Sequence, residues 1–382
     1  VIRVLQRADR ELTGALVQRG NAYFVQPTSK KYPEIAIDRH HLGDAQPGDR
    51  VAVSISHYGD EKFLPQGVVE ADLGEDGTME AAIAGILHEN GVYDVFPDDV
   101  LQAADAMPQE VEPSALGGRL DLRDKLIFTI DGDDAKDFDD AVSLEVLDNG
   151  HLLLGVHIAD VSHYVTPGAP LDLEAFRRGT SVYYPGHDVP LLPFALSHGI
   201  CSLNPHVDRL TFSALMEVDK DGRRYKARFA KSVIRSGARM TYNKVNKILA
   251  GDKALREEYG FLVETAERMN DLAHAMYKRR IERGALELDI PEAEIIVDAD
   301  GRPTDIGWRA RGESEKLIEE FMLAANEAVA EYMCKRQLPT VYRVHENPDP
   351  DKLRVFAAFA RPFGYRIDPS KPEDTFQFQT VL

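Results

Sequence analysis

The stretch Thr129-Ile130-Asp131-Gly132-Asp133-Asp134-Ala135-Lys136-Asp137-Phe138-Asp139-Asp140-Ala141 places six aspartates within ten residues, against one lysine, Lys136. Upstream, Leu126–Ile130 has the β-branched and aromatic character of a buried strand. Downstream, Val142, Leu144 and Val146 alternate with Ser143, Glu145 and Leu147, the pattern of a strand with one face inward. An acid loop pinned between two strands is not a solvated acidic tail. Two carboxylates about 4 Å apart repel by roughly 1 kcal/mol in water and about 4 kcal/mol at an effective dielectric near 20. Several in one pocket must protonate or gain cations, and hard oxygen-seeking Mg²⁺ is the natural counterweight. An EF-hand fails: counted from Asp131, the third ligand position is Ala135 and the closing position is Val142, not Glu. The bland reading is an acidic surface turn, which the flanking apolar strands disfavour.

The chain of 382 residues is long enough for two or three domains. It begins at Val1 and stops at Leu382 without a closing signal, so a fragment cut at both ends is expected. No apolar run approaches the roughly 18 residues of a membrane span. The lone cysteines, Cys201 and Cys334, lack metal spacing and are expected to be buried thiols in a reducing cytoplasm. The formal net charge of −19 argues against nucleic acid as a partner. Its distribution argues the other way: Gly222–Gly251 carries nine Lys and Arg and no acid. Such a stretch is either a phosphate track leading to the acid loop or a solvated face.

In chain order, residues 1–88 read as short strands separated by turns, the pattern of a small OB-like barrel. Residues 89–120 read as a connector, with one short helix at Asp98–Ala106, and Asp72–Gly118 as largely irregular. After the acid loop come a hairpin turn at Asp148-Asn149-Gly150 and an apolar strand, Leu152–Ile158. A helix is expected at Leu171–Arg178, then a strand pair, Thr211–Asp219 and Tyr225–Arg235. Asp252–Arg283 carries helical periodicity as one helix or two joined, and Glu313–Arg336 forms another, with Glu319 and Glu320 on the two edges of its apolar stripe. Strand pieces are expected at Ile290, Ile295–Val297 and Val341–His345, a turn at Asp300-Gly301, and a last helix at Asp351–Phe359. The fold class is thus α+β: a barrel followed by a mixed α/β domain from 121 to 382.

The acid run together with His157-Ile158-Ala159-Asp160-Val161-Ser162-His163, Arg178–Pro185, Leu191-Leu192-Pro193, Cys201-Ser202-Leu203-Asn204-Pro205 and Leu317–Met322 resembles the ribonuclease II/ribonuclease R (RNB) family. The first part is similar to the cold-shock domain that precedes its catalytic domain. The resemblance implies a processive, Mg²⁺-dependent 3′-to-5′ exoribonuclease, Mn²⁺ being a possible substitute, acting by a two-metal mechanism on single-stranded 3′ ends as a monomer. It maps the catalytic aspartates onto Asp131, Asp137, Asp139 and Asp140. Of these, Asp131, Asp137 and Asp140 would be metal ligands, and Asp139 would orient a water or a ligand. Tyr183 would stack on a base, and Glu319 and Glu320 are candidate RNA contacts. A second stacking aromatic of the family falls at Leu288. The family's phosphate-binding arginine segment and S1 domain are not found in these residues, which implies that this stretch alone is weakly active while the full-length protein degrades RNA. His157, His163 and His345 match motif positions but are expected to be structural.

Two other classes remain. Asp131-Gly132-Asp133 and Asp137-Phe138-Asp139 are D-x-D pairs that could serve a metal-dependent transferase. A non-catalytic RNA-binding scaffold would bind no cation at the acid loop.

Overall fold

The structure, a computed structural model, describes residues 11–59, 62–185, 187–288, 290–298, 301–309, 311–344 and 346–382. Strands β1 (Leu12–Arg19), β2 (Ala22–Pro27), β3 (Ile35–Ile37), β4 (Asp49–His57) and β5 (Gln66–Glu75) close a barrel in the order β1-β2-β3-β5-β4. Their inward residues Leu16, Val25, Ile35, Val51 and Val53 are fully buried and form its core. The expected barrel is therefore present.

The reading of Asp72–Gly118 as irregular is corrected by helix α1 (Met79–Glu89), which packs on β1, β4 and β5. The Thr78 side chain caps its start by accepting from Ala81 N at 3.2 Å, and Thr13 Oγ1 donates to Glu89 at 2.5 Å near its end. A Thr before Met-Glu-Ala-Ala is a helix-start signal. Helix α2 (Asp98–Asp105) follows. Cα proximity divides the chain into two units. One ends at Asp98 and takes in Glu174–Leu191; the other comprises Asp99–Leu173 and Leu192–Leu382.

The second unit is built on a seven-stranded sheet. It uses β6 (Leu120–Asp121), β7 (Ile127–Asp131), β8 (Asp140–Val146) and β9 (Leu152–Ala159). Helix α3 (Pro170–Arg178) and the hairpin β10 (Val182–Tyr184) and β11 (His187–Val189) come next in the chain; Gly186, expected in this segment, lies outside the described residues. The sheet is completed by β12 (Asp208–Val218), β13 (Arg224–Arg235) and β14 (Ala238–Thr241), in the order β14-β7-β8-β9-β12-β13-β6. β14 was not expected; four residues carry too short a pattern to announce a strand. It pairs parallel to β7, setting Thr241 against Asp131.

Helices α4 (Tyr242–Leu249), α5 (Lys253–Glu258), α6 (Gly260–Glu282) and α7 (Glu313–Lys335) follow, with β15 (Ala293–Val297) and β16 (Pro303–Trp308) between the last two. Asp252–Arg283 is thus two helices joined. Leu262, Met269, Leu317 and Phe321 from α6 and α7 meet Phe128, Val142, Leu154 and Met216 of the sheet in one buried cluster. Helices α8 (Pro350–Ala360) and α9 (Phe376–Gln379) end the chain.

The strand expected at Val341–His345 is absent from its described residues: 341–344 have no regular structure and Val341 is 99% exposed. Ile290 stands outside any strand, whereas Ile295–Val297 lies in β15. His345, and Asp300 of the expected turn, lie outside the described residues. Cys201 is buried as expected, but Cys334 is exposed on α7. Among the described residues no helix is long and apolar enough to cross a membrane.

Ser143 is buried like its apolar neighbours, because β8 is central and closed on both faces. It lies at one end of a chain of buried polar groups across four strands. Ser143 Oγ is 3.0 Å from His157 Nε2, and His157 Nδ1 is 2.6 Å from Ser213 Oγ. Ser213 Oγ is 2.6 Å from Ser232 Oγ, which is 2.8 Å from Thr211 Oγ1. Burial holds the His157 imidazole down at about 3, so it stays neutral. Gly155 leaves room for this chain: a Cβ there would meet Ser143 Oγ at 2.3 Å and His157 Nε2 at 2.7 Å. Gly155→Ala is therefore expected to cost roughly 2–4 kcal/mol of stability through overpacking and broken hydrogen bonds, read as a fall in the urea midpoint.

Candidate active site

The acid loop spans the gap between β7 and β8. Asp131 ends the first strand, Asp140 begins the second, and Asp133, Asp134, Asp137 and Asp139 lie between. Its anchor is Phe138, 4% exposed and packed with Ile127, Ala141, Ala159, Leu203 and Ile234. Burying a Phe ring stabilises by roughly 1.5–3 kcal/mol, enough to offset part of the repulsion between the flanking acids.

The field of these acids is recorded in their proton affinities. Burial, then Asp140, Asp137 and Asp139, push the Asp131 carboxyl up to about 7, while the Arg239 guanidinium pulls it back. Asp139 keeps an open surface yet is crowded by surrounding atoms; that crowding, then Asp137 and Asp140, raises it to about 6. Burial raises Asp140 as well. Beside them, burial and then the charges of Asp131 and Asp140 push the Tyr242 phenol up to about 12. Asp133 behaves differently. Hydrogen bonds from Thr241 and Asn243 hold it below the ordinary aspartate range, which takes its charge out of competition.

Among the described residues no three His, Cys, Asp or Glu side chains converge closely enough to hold one ion. The donor set nonetheless fits a hard cation: every donor is a carboxylate oxygen, two are strongly proton-hungry, and Asp131 Oδ2 is buried without a hydrogen-bond partner.

The other candidate residues separate. Tyr183, 64% exposed, sits mid-strand in β10 opposite Asp188, in the unit that contains the barrel. Glu320 is 5% exposed and bound by Arg280, whose Nη2 lies 2.6 Å away. Glu319 sits at the helix edge, paired with Arg311 and 3.6 Å from Arg280. Leu288 is 55% exposed. Sequence reasoning missed Arg239, Thr241 and Asn243 as loop partners; Thr241 as an N-cap before Tyr242 was the available signal.

The RNB domain description matches residues 119–381, and the cold shock domain description matches residues 24–97. The chain belongs to the RNB domain family. It is 41% identical over 379 residues to "Ribonuclease R 1" of Lactococcus lactis, covering 96% of this chain and 46% of that relative. Its fold matches the apo form of Mycoplasma genitalium RNase R with a TM-score of 0.90 at 26% identity, covering 99% of this chain and 60% of that one. The same RNase R in complex with ribose-methylated single-stranded RNA matches with a TM-score of 0.88 at 26% identity, covering 97% of this chain and 58% of that one. The chain thus spans about half the length of the first of these relatives.

Within this RNB domain, the raised Asp131 sets a pH dependence. Its folded pKa lies above the unfolded value, so its contribution to stability is complete below about 3.8 and is lost as pH rises through about 7. In chelator, Asp131→Asn should match wild type near pH 4 and be more stable by up to about 4 kcal/mol at pH 8. Thermal melts of both proteins at the two pH values check it, and Mg²⁺ should narrow the gap by stabilising wild type alone.

Proposed function

We propose that the protein carrying this chain is a processive 3′-to-5′ exoribonuclease, a cytoplasmic monomer that enters RNA from a single-stranded 3′ end and releases nucleoside 5′-monophosphates. The observation that carries the reading is the acid loop: mutually repelling, half-buried carboxylates at the meeting of two central strands of an RNB domain. Asp131, Asp137 and Asp140 would hold Mg²⁺, with Mn²⁺ as a substitute and two ions as the working number. Bound there, the metal would supply Lewis-acid polarisation of the phosphate and lower the pKa of the attacking water.

Asp139 orients the attacking water, and its raised proton affinity lets it hold a proton close to neutral pH. Water attacks phosphorus, the bond to the 3′-oxygen of the preceding nucleotide breaks, and the phosphate leaves on the 5′ side of the released nucleotide. Tyr183, most of whose surface faces solvent, would stack on a base. Of the two glutamates, Glu319 would be the RNA contact, since Glu320 is inward and bound to Arg280.

The test uses the protein at its natural full length and RNA with a labelled 3′ overhang. Mononucleotide release should require Mg²⁺, and Asp139→Asn should lower kcat by about a hundredfold or more. Full activity in that variant removes Asp139 from the chemistry, and no release by wild type overturns the reading. Tyr183→Ala should weaken RNA binding by about 1–3 kcal/mol and lengthen the final resistant fragment, read on a sequencing gel.

A further inference from the structure

Six aspartates in ten residues should push a loop open, yet this one is tied at nearly every turn of its backbone. The ties come from two places that the catalytic reading does not use. One is Ser202, fully buried in the Cys201–Pro205 run. Its Oγ accepts from Phe138 N at 3.0 Å and donates to Lys136 O at 3.0 Å. One hydroxyl, using its single donor and one acceptor position, therefore holds the peptide groups on both sides of Asp137. Next to it, Leu203 N donates to Phe138 O at 2.8 Å, and from β9 Ala159 N donates to Asp139 O at 2.9 Å. The other place is Arg239 on β14. Its Nη2 donates to Asp133 O at 2.8 Å and to Ala135 O at 3.0 Å, and its guanidinium lies 5.1 Å from the centre of the Phe138 ring.

We propose that Ser202 and Arg239 are positioning residues of the acid loop. Ser202 sets the direction in which Asp137 leaves the backbone, Arg239 fixes the turn before it, and together they aim the carboxylates at a shared cation against their mutual repulsion. The inference rests on the metal reading proposed above.

The chemistry of each residue makes the claim specific. A serine hydroxyl can bridge an N–H and a C=O two residues apart; alanine leaves both buried and unpaired. Arg239 donates both bonds from Nη2 at the end of a long planar group that also reaches the Phe138 ring, whereas a lysine keeps the charge but has a shorter reach and no planar group to set against the ring. Arg239→Lys therefore separates geometry from the electrostatic pull on Asp131.

The experiment titrates Mn²⁺ into the full-length wild type, Ser202→Ala and Arg239→Lys by calorimetry without RNA, with melting in chelator as a check of folding, and then measures kcat and KM on an oligoribonucleotide. Folded variants should bind Mn²⁺ about tenfold more weakly, in the range seen when groups behind metal ligands are removed. Their kcat should fall about 30-fold or more for Ser202→Ala and about tenfold for Arg239→Lys, with KM within about threefold of wild type, and excess Mn²⁺ should restore part of kcat. Wild-type Mn²⁺ affinity in the folded variants overturns the inference. Should Ser202→Ala fail to fold, Arg239→Lys decides alone. Because Mn²⁺ binding is read without RNA, an inactive wild type would sink the exonuclease reading and leave this one standing or falling on its own titration.

Discussion

Everything in the second unit answers to one electrostatic problem: carboxylates that are useful together are unfavourable together. The acid loop meets it with an apolar anchor placed among the charges. Phe138 is buried in the core on one face of the sheet, and Asp137 and Asp139 are its immediate neighbours in the chain. Charge and anchor are thus adjacent in the chain. The raised carboxyls at Asp131 and Asp139 are the residue of that conflict, kept in the folded state rather than relaxed away. A loop lacking the flanking strands would relax it by opening.

Part of the basic stretch answers to the same account. Arg224 pairs with Glu331 and donates to Ala324 O, Arg235 pairs with Asp208, Lys226 lies 3.4 Å from Glu217, and Lys244 donates to Tyr259. Arg239 is spent on the acid loop. Those of the nine cations that pair with acids do so mainly at the surface, where ion pairs stabilise little. Of the nine, Arg224 and Arg239 tie down backbone carbonyls within the protein. Arg239 combines two backbone carbonyls with an electrostatic pull on Asp131.

How far the sequence could be read depended on whether a feature was local. The flanking strands, the hairpin at Gly150, the paired helices α6 and α7 and the barrel all carry periodic patterns within one segment, and they emerged as expected. Helix α1 announces itself only in its Thr78 cap, in a stretch otherwise rich in acids and turn formers. β14 was not legible: it is a strand because it lies along β7, more than a hundred residues earlier in the chain. Val341–Val344 is the converse, a β-prone run that is exposed and pairs with no strand among the described residues. The site divides along the same line. Clustered aspartates announce themselves by type and spacing. Ser202 was inside a recognised motif, yet a serine becomes a clamp only through what folding brings to it.

The buried polar chain on the sheet adds a constraint that composition would not suggest. Side chains alternate faces along a strand, so a slip of one residue between β8 and β9 would turn Asp140 to the opposite side. Apolar residues resist such a slip through shape and volume alone, without directed bonds. The Ser143–His157–Ser213–Ser232 chain resists it through directed bonds, which a slip would leave broken inside the protein. His157 sits opposite Ala141, immediately after Asp140, and its ring stays uncharged across the physiological range. That neutrality matters: a titrating imidazole there would loosen the register of the strand that carries Asp140 with every change of pH. The histidine is better placed as a fastener between strands than as an acid or base, and its burial is what makes it one.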